Sequence, residues 1–167
     1  VINVVNASTL ERNLYLTLQI LEMGTPVVMS LNMIDEARSR NISIDERKLS
    51  HLLKIPVIPT VATQNMGIKE LIFEAVNVVK GDVKYHGPLV VDYGKEVESE
   101  VRRIKNLLED FPRLTSEYPT RWLALKLLEG DKEIVEEIMA LPRGQEVVSV
   151  AMDGAQRIEE ALGDDAS

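Results

Sequence analysis

An asparagine and an aspartate three positions apart, Asn32 and Asp35, follow directly on the apolar run Pro26-Val27-Val28-Met29-Ser30-Leu31. A run of this kind reads as a buried strand, so both polar side chains fall on the loop at its carboxyl end. A planar carboxylate at Asp35 can accept from the ring N–H and the exocyclic amine of guanine together. Adenine cannot satisfy that charge-assisted bidentate contact. Asn32 would tie neighbouring loops together and meet the imidazole side of the base. The other reading is a helix-capping pair, because Asn and Asp begin helices and tolerate turns. The spacing alone is too short to choose, so the surrounding chain must decide.

The 167 residues suit one α/β domain or two small ones, and 45% apolar content is enough for a core. A formal charge of -8, from 27 acidic against 19 basic residues, gives no footprint for phosphate backbones, which argues against nucleic acid as a partner. With no cysteine, disulfide frameworks and thiolate metal sites are excluded. No apolar run is long enough for a membrane span, and the first residues read as a strand rather than a secretion leader. The chain opens without Met, inside a strand pattern, and ends in Gly163-Asp164-Asp165-Ala166-Ser167. A piece of a longer polypeptide is the expectation.

Val1-Ile2-Asn3-Val4-Val5 predicts a strand buried on both faces of a parallel sheet. Ser8 and Glu11 form a capping box ahead of Leu10, Leu14, Leu18 and Leu21, and Gly24 closes that helix. A second strand covers 26–31. Ser43 and Glu46 repeat the capping box before Leu49, Leu52 and Leu53, and Pro56-Val57-Ile58-Pro59 predicts a third strand. From Gly67 to Gly81 a helix is expected to bury Leu71, Ile72, Ala75, Val78 and Val79. Alternating strands and helices call for a parallel sheet with crossover helices.

Composition then changes. Residues 1–81 form the α/β part, 82–91 read as a linker around Lys84-Tyr85-His86-Gly87-Pro88, 92–162 as an all-α helical bundle, and 163–167 as a polar tail. Val97, Val101, Ile104, Leu107 and Leu108 stripe one helix that ends near Phe111-Pro112, and helical patterns follow at about 120–129, 131–140 and 145–162.

At this point the residues carry a likeness. Asn6-Ala7-Ser8-Thr9-Leu10-Glu11-Arg12-Asn13-Leu14-Tyr15-Leu16-Thr17-Leu18-Gln19 closely resembles a stretch of the cytosolic GTPase domain of FeoB-type ferrous iron transporters. Leu31-Asn32-Met33-Ile34-Asp35-Glu36-Ala37 resembles that family's guanine-specificity motif. Pro56-Val57-Ile58-Pro59-Thr60-Val61-Ala62-Thr63 resembles the strand and loop whose backbone touches the base. The stretch from Tyr118-Pro119-Thr120-Arg121-Trp122 to Gly130-Asp131 resembles its helical domain, likened to a guanine-nucleotide dissociation inhibitor (GDI-like).

The resemblance implies a partial P-loop GTPase fold that binds GTP or GDP. It implies guanine contacts from Asn32, Met33 and Asp35, and from Ala62 through its backbone N–H, flanked by Val61 and Thr63. Met33 stands where most GTPases have lysine, and losing that cation should weaken nucleotide binding, as suits a switch that exchanges readily. Val61-Ala62 replaces the usual Ser-Ala, yet a backbone donor survives side-chain change; an ordinary strand-to-helix turn is the competing reading of this loop.

The sequence contains no Gly-x-x-x-x-Gly-Lys-Ser/Thr and no preceding Asp-x-x-Gly or switch threonine. The chain alone is therefore expected not to hydrolyse GTP. Mg2+ is expected only together with the missing amino-terminal half of the GTPase domain, the first partner the resemblance implies. The second is a transmembrane iron-transport domain, placing this part at the cytoplasmic face of the inner membrane. An incomplete sheet also invites domain swapping or edge pairing into a homo-oligomer.

His51 and His86 lack company for a metal site, and Glu136-Glu137 reads as a solvated helix face. Trp122 reads as core rather than as a docking surface. Two functions stay open: the base-binding half of a transporter's GTPase with its regulatory helices, or a non-catalytic helical interaction and assembly module without nucleotide binding.

Overall fold

The computed structural model describes residues 1–81 and 90–163, so most of the expected linker, with His86, and the tail beyond Gly163 lie outside the described residues. The chain divides into two compact units, Val1–Val90 and Val91–Ser167.

The first unit holds strands β1 (Ile2–Asn6), β2 (Val28–Asn32) and β3 (Val57–Thr60), all parallel, in the order β1-β2-β3. Between and after them run helices α1 (Leu10–Glu22), α2 (Ile34–Ser39), α3 (Glu46–Leu53) and α4 (Ile68–Lys80). Because side chains alternate along a strand, the register sorts them into two sets. Asn3, Val5, Met29, Leu31 and Val57 share one face, and all but Asn3 pack with Leu21, Ile34, Ala37 and Leu53 in one core. Asn3 is accommodated there because its Nδ2 donates to Thr17 Oγ1 of α1 at 2.8 Å, which satisfies a buried amide. Burying each large aliphatic side chain of this set contributes roughly 1.5–3 kcal/mol.

The opposite face carries Ile2, Val4, Val28, Ser30, Ile58 and Thr60. Val28, Ser30 and Thr60 are buried, whereas Val4 on β1 is 62% exposed. The expectation that β1 is covered on both faces is thus not met. The helix predicted from Gly67 to Gly81 forms as α4, but of its expected apolar face only Leu71 is buried, and Ile72 and Val79 lie open to solvent. Apolarity in a sequence marks surface that wants cover; it does not count how much cover the described residues supply.

Other local expectations are corrected. Ser8 caps no helix among the described residues: a 3-10 turn, Ala7–Thr9, precedes α1, and Asn6 Oδ1 takes the Ser8 N–H at 2.8 Å. The cap of α3 is Asp45, whose Oδ1 accepts from Lys48 N at 2.9 Å, rather than Ser43. Asp45 sits three residues before that N–H, the reach a capping carboxylate needs. The stretch around Asp35 is not all loop either, since α2 begins at Ile34.

The second unit is helical among its described residues: α5 (Lys95–Leu108), α6 (Pro112–Glu117), α7 (Thr120–Leu128), α8 (Lys132–Met139) and α9 (Gly144–Leu162). Helix α6 went unpredicted because six residues show too little periodicity; Pro112 at its first turn starts it. Val101, Ile104, Leu108, Leu123, Ile138 and Val147 form the core, with Trp122 packed against it and stacked on Tyr118 at 5.3 Å. Glycine at 154 lets α9 approach Glu100 and Leu128, where an added Cβ would lie 3.0 and 3.2 Å from side-chain atoms. No helix of the described residues is long and apolar enough to cross a membrane.

Candidate functional site

The carboxyl ends of the three strands align as one rung, Asn6, Asn32 and Thr60. In open parallel sheets, ligands gather beyond such ends. Asn32, half-buried, is the last residue of β2, and its Oδ1 accepts two hydrogen bonds: from Ala62 N at 3.1 Å and from Thr60 Oγ1 at 3.2 Å. Thr60 Oγ1 also lies 2.8 Å from Ser30 Oγ, and both of those hydroxyl residues are buried. The orientation of the Asn32 amide follows. The Ala62 N–H needs an acceptor, so the oxygen faces the β3 side. Nδ2 has no partner among the described residues and is left as a free donor at the rim.

Met33 takes up the bend between β2 and α2 in a left-handed conformation, φ 60° and ψ 36°, and the residue is 40% exposed. That bend turns Ile34 and Ala37 into the core and leaves Asp35 in the exposed first turn of α2. Asp35 Oδ2 accepts from Gln64 Nε2 at 3.4 Å, a long contact that spans the two loops. The carboxylate is therefore open to a stronger donor.

The second loop is closed on itself. Val61, buried, exchanges backbone hydrogen bonds with Met66 at 3.1 and 3.2 Å, and Ala62–Gln64 form a 3-10 turn between them. Ala62 and Thr63 are exposed at its tip. Gly67 anchors the exit from this loop. Its φ is 75°, and an added Cβ would fall 2.2 Å from Pro59 O, so a side chain there would displace β3.

Asn32, Asp35 and Ala62 are thus brought together by direct contacts or through Gln64, with Met33 between the first two and Val61 under the second loop. Thr63 makes no described contact with them. The arrangement presents an amide donor and a carboxylate acceptor from one loop, and a backbone donor engaged by Asn32 from the other. Sequence reading passed over Ser30, Thr60 and Gln64. The available signal was a hydroxyl inside an apolar strand, because a buried polar group needs a partner.

His51 is exposed on α3, and no group of three or more potential metal-ligating side chains is arranged for an ion among the described residues.

Residues 1–75 match the family model for ferrous iron transport protein B, and residues 93–167 match that for the FeoB cytosolic helical domain. Over 162 residues the chain is 38% identical to the Fe(2+) transport protein A/Fe(2+) transporter FeoB fusion protein of Porphyromonas gingivalis, covering 97% of this chain and 19% of that protein. It is 42% identical over 131 residues to the Fe(2+) transporter FeoB of Escherichia coli K12, covering 78% and 16%. Among solved structures, mGMPPNP-bound NFeoB from S. thermophilus superposes with a TM-score of 0.77 at 31% identity, over 99% of this chain and 59% of that one. The cytosolic domain of L. pneumophila FeoB gives 0.75 at 31%, over 99% and 62%. The chain spans about a fifth of the length of the curated relatives it matches.

Proposed function

Since the chain belongs to the ferrous iron transport protein B (FeoB) family, we propose that its α/β unit reads the guanine base of GTP or GDP, and that its helical unit relays nucleotide state to an iron-transport pore. The observation that carries this reading is the pairing at the β2 exit: Asn32 Nδ2 left as a free donor, and the exposed Asp35 carboxylate three residues on. Asp35 would accept from the ring N–H and amine of guanine, and Asn32 would donate to N7. Ala62 N–H would share its proton between Asn32 Oδ1 and the guanine keto oxygen. Val61 holds that loop from below and Thr63 flanks it. The Met33 stem would lie along the nucleoside.

Phosphate handling belongs elsewhere. The residues at this site bind a base; none forms a phosphate cradle, and the chain has no Gly-x-x-x-x-Gly-Lys-Ser/Thr. Mg2+ bridges phosphate oxygens in nucleotide hydrolysis, and no residue here is assigned to hold it. The solved relatives are longer than this chain, which supports a partner that supplies the phosphate-binding half. The place for it is the open side of β1. Its outer edge is unpaired among the described residues, with the exposed Ile2 and Val4 on the adjoining face, whereas β3 at the other edge carries Pro59, which cannot donate to a further strand. A transmembrane transport domain, and a location at the cytoplasmic face of the membrane, complete the proposal.

The test is displacement of a fluorescent GDP from the complete protein. GDP should compete and ADP should not; equal competition by both would remove base recognition.

A further inference from the structure

Ser30 and Thr60 are buried hydroxyl residues, at 3% and 0% exposure, on the sheet face opposite Val5, Met29 and Leu31. Ser30 interrupts the otherwise apolar Val27-Val28-Met29-Ser30-Leu31, and Thr60 ends β3. A buried hydroxyl destabilises unless it is bonded, and an aliphatic residue would fill either place without that cost. Their value must therefore lie in what they hold.

Thr60 Oγ1 has one proton and two neighbours: Ser30 Oγ at 2.8 Å and Asn32 Oδ1 at 3.2 Å. Asn32 Oδ1 can only accept, so the Thr60 proton goes there and its lone pair takes the proton of Ser30. The result is a directed chain, Ser30 to Thr60 to Asn32, joined at its end by the Ala62 N–H at 3.1 Å. Rotating the Asn32 amide by half a turn would set its NH2 against the Ala62 N–H. The network therefore permits one orientation, with Nδ2 turned outward.

We propose that Ser30 and Thr60 are positioning residues for base recognition, holding the Asn32 amide so that Nδ2 meets the purine N7. This rests on the base-reading function proposed above. It also makes a separable claim: the pair acts on the N7 contact, and not on the guanine edge read by Asp35.

The experiment compares GDP, 7-deaza-GDP, which has carbon in place of N7, and inosine diphosphate, which lacks the exocyclic amine, on the complete protein and its Thr60→Val, Ser30→Ala and Thr60→Ser variants. The unmodified protein should bind GDP about three- to tenfold more tightly than 7-deaza-GDP, the range of one neutral hydrogen bond. Thr60→Val and Ser30→Ala should lose that factor for GDP and nothing further for 7-deaza-GDP, and Thr60→Ser should restore it. The inosine penalty should keep its size in every variant.

Equal losses on all three nucleotides, no loss at all, or no 7-deaza penalty in the unmodified protein would overturn the proposal. If Thr60→Val does not fold, Ser30→Ala against Thr60→Ser carries the same comparison. An unmodified protein that binds GDP no better than ADP instead removes the underlying base-reading function, a result distinct from flat variants in a GDP-binding protein.

Discussion

Asn32 and Thr60 face each other across β2 and β3 as paired residues, and the Thr60 hydroxyl donates to Asn32 Oδ1 at 3.2 Å. The same oxygen takes the Ala62 N–H, so one amide group joins the ends of two strands to the loop beyond. Asn32→Ala would leave a buried hydroxyl and a backbone N–H without their acceptor. The expected loss is about 1–3 kcal/mol of stability, read by urea unfolding, together with loss of GDP binding.

Gly67 sets the exit of that loop. Its positive φ and the 2.2 Å that would separate an added Cβ from Pro59 O act together. Gly67→Ala should destabilise the α/β unit by at least about 1–3 kcal/mol, the cost of the strained φ before the clash with Pro59 O is added, and thermal unfolding measures it.

In the helical unit, Arg121 donates to both carboxylate oxygens of Glu98 at 2.7 Å and to Val91 O at 2.6 Å, fastening the start of the unit to α5 and α7. Those hydrogen bonds hold the Glu98 carboxyl below the usual glutamate range, with burial opposing them. A lowered folded-state value contributes stability that is present above the unfolded value of about 4.3 and lost as pH falls through the folded one. Glu98→Gln should therefore lower stability at pH 7 by about 1–2 kcal/mol. It should also flatten the decline below about pH 4.3, both followed by denaturation at stepped pH.

The open face of β1 makes a prediction about association. Val4 is 62% exposed on a strand whose outer edge is unpaired among the described residues. The 167-residue chain by itself should sediment with a concentration-dependent mass, and Val4→Lys should reduce that dependence. A homogeneous monomer at all concentrations would argue against a partner at this face.

Much of this architecture was legible in the residues. The apolar runs of β1, β2 and β3 and the long amphipathic stripes of α5 and α9 specify a parallel sheet followed by helices, because period and length are strong signals over many residues. Helices α2 and α6 were not legible, each being six residues long. Nor were the caps, since Asp45 and Asn6 stand two positions away from Ser43 and Ser8, a difference that only backbone geometry decides. At the site, the loop-end places of Asn32 and Asp35 could be read from the apolar run before them. The link from Ser30 through Thr60 could not, because it depends on register between strands distant in sequence.

The exchange of partners at Asp35 is the most direct test. Xanthine carries a keto oxygen where guanine carries its amine, so a carboxylate repels it and an amide matches it. With Asp35→Asn in the complete protein, affinity for GDP should fall and affinity for xanthosine diphosphate should rise, each by at least about tenfold, a hydrogen bond to a charged group being worth roughly 1.5–3 kcal/mol. An unaltered preference for guanosine over xanthosine in that variant would contradict the role assigned to Asp35.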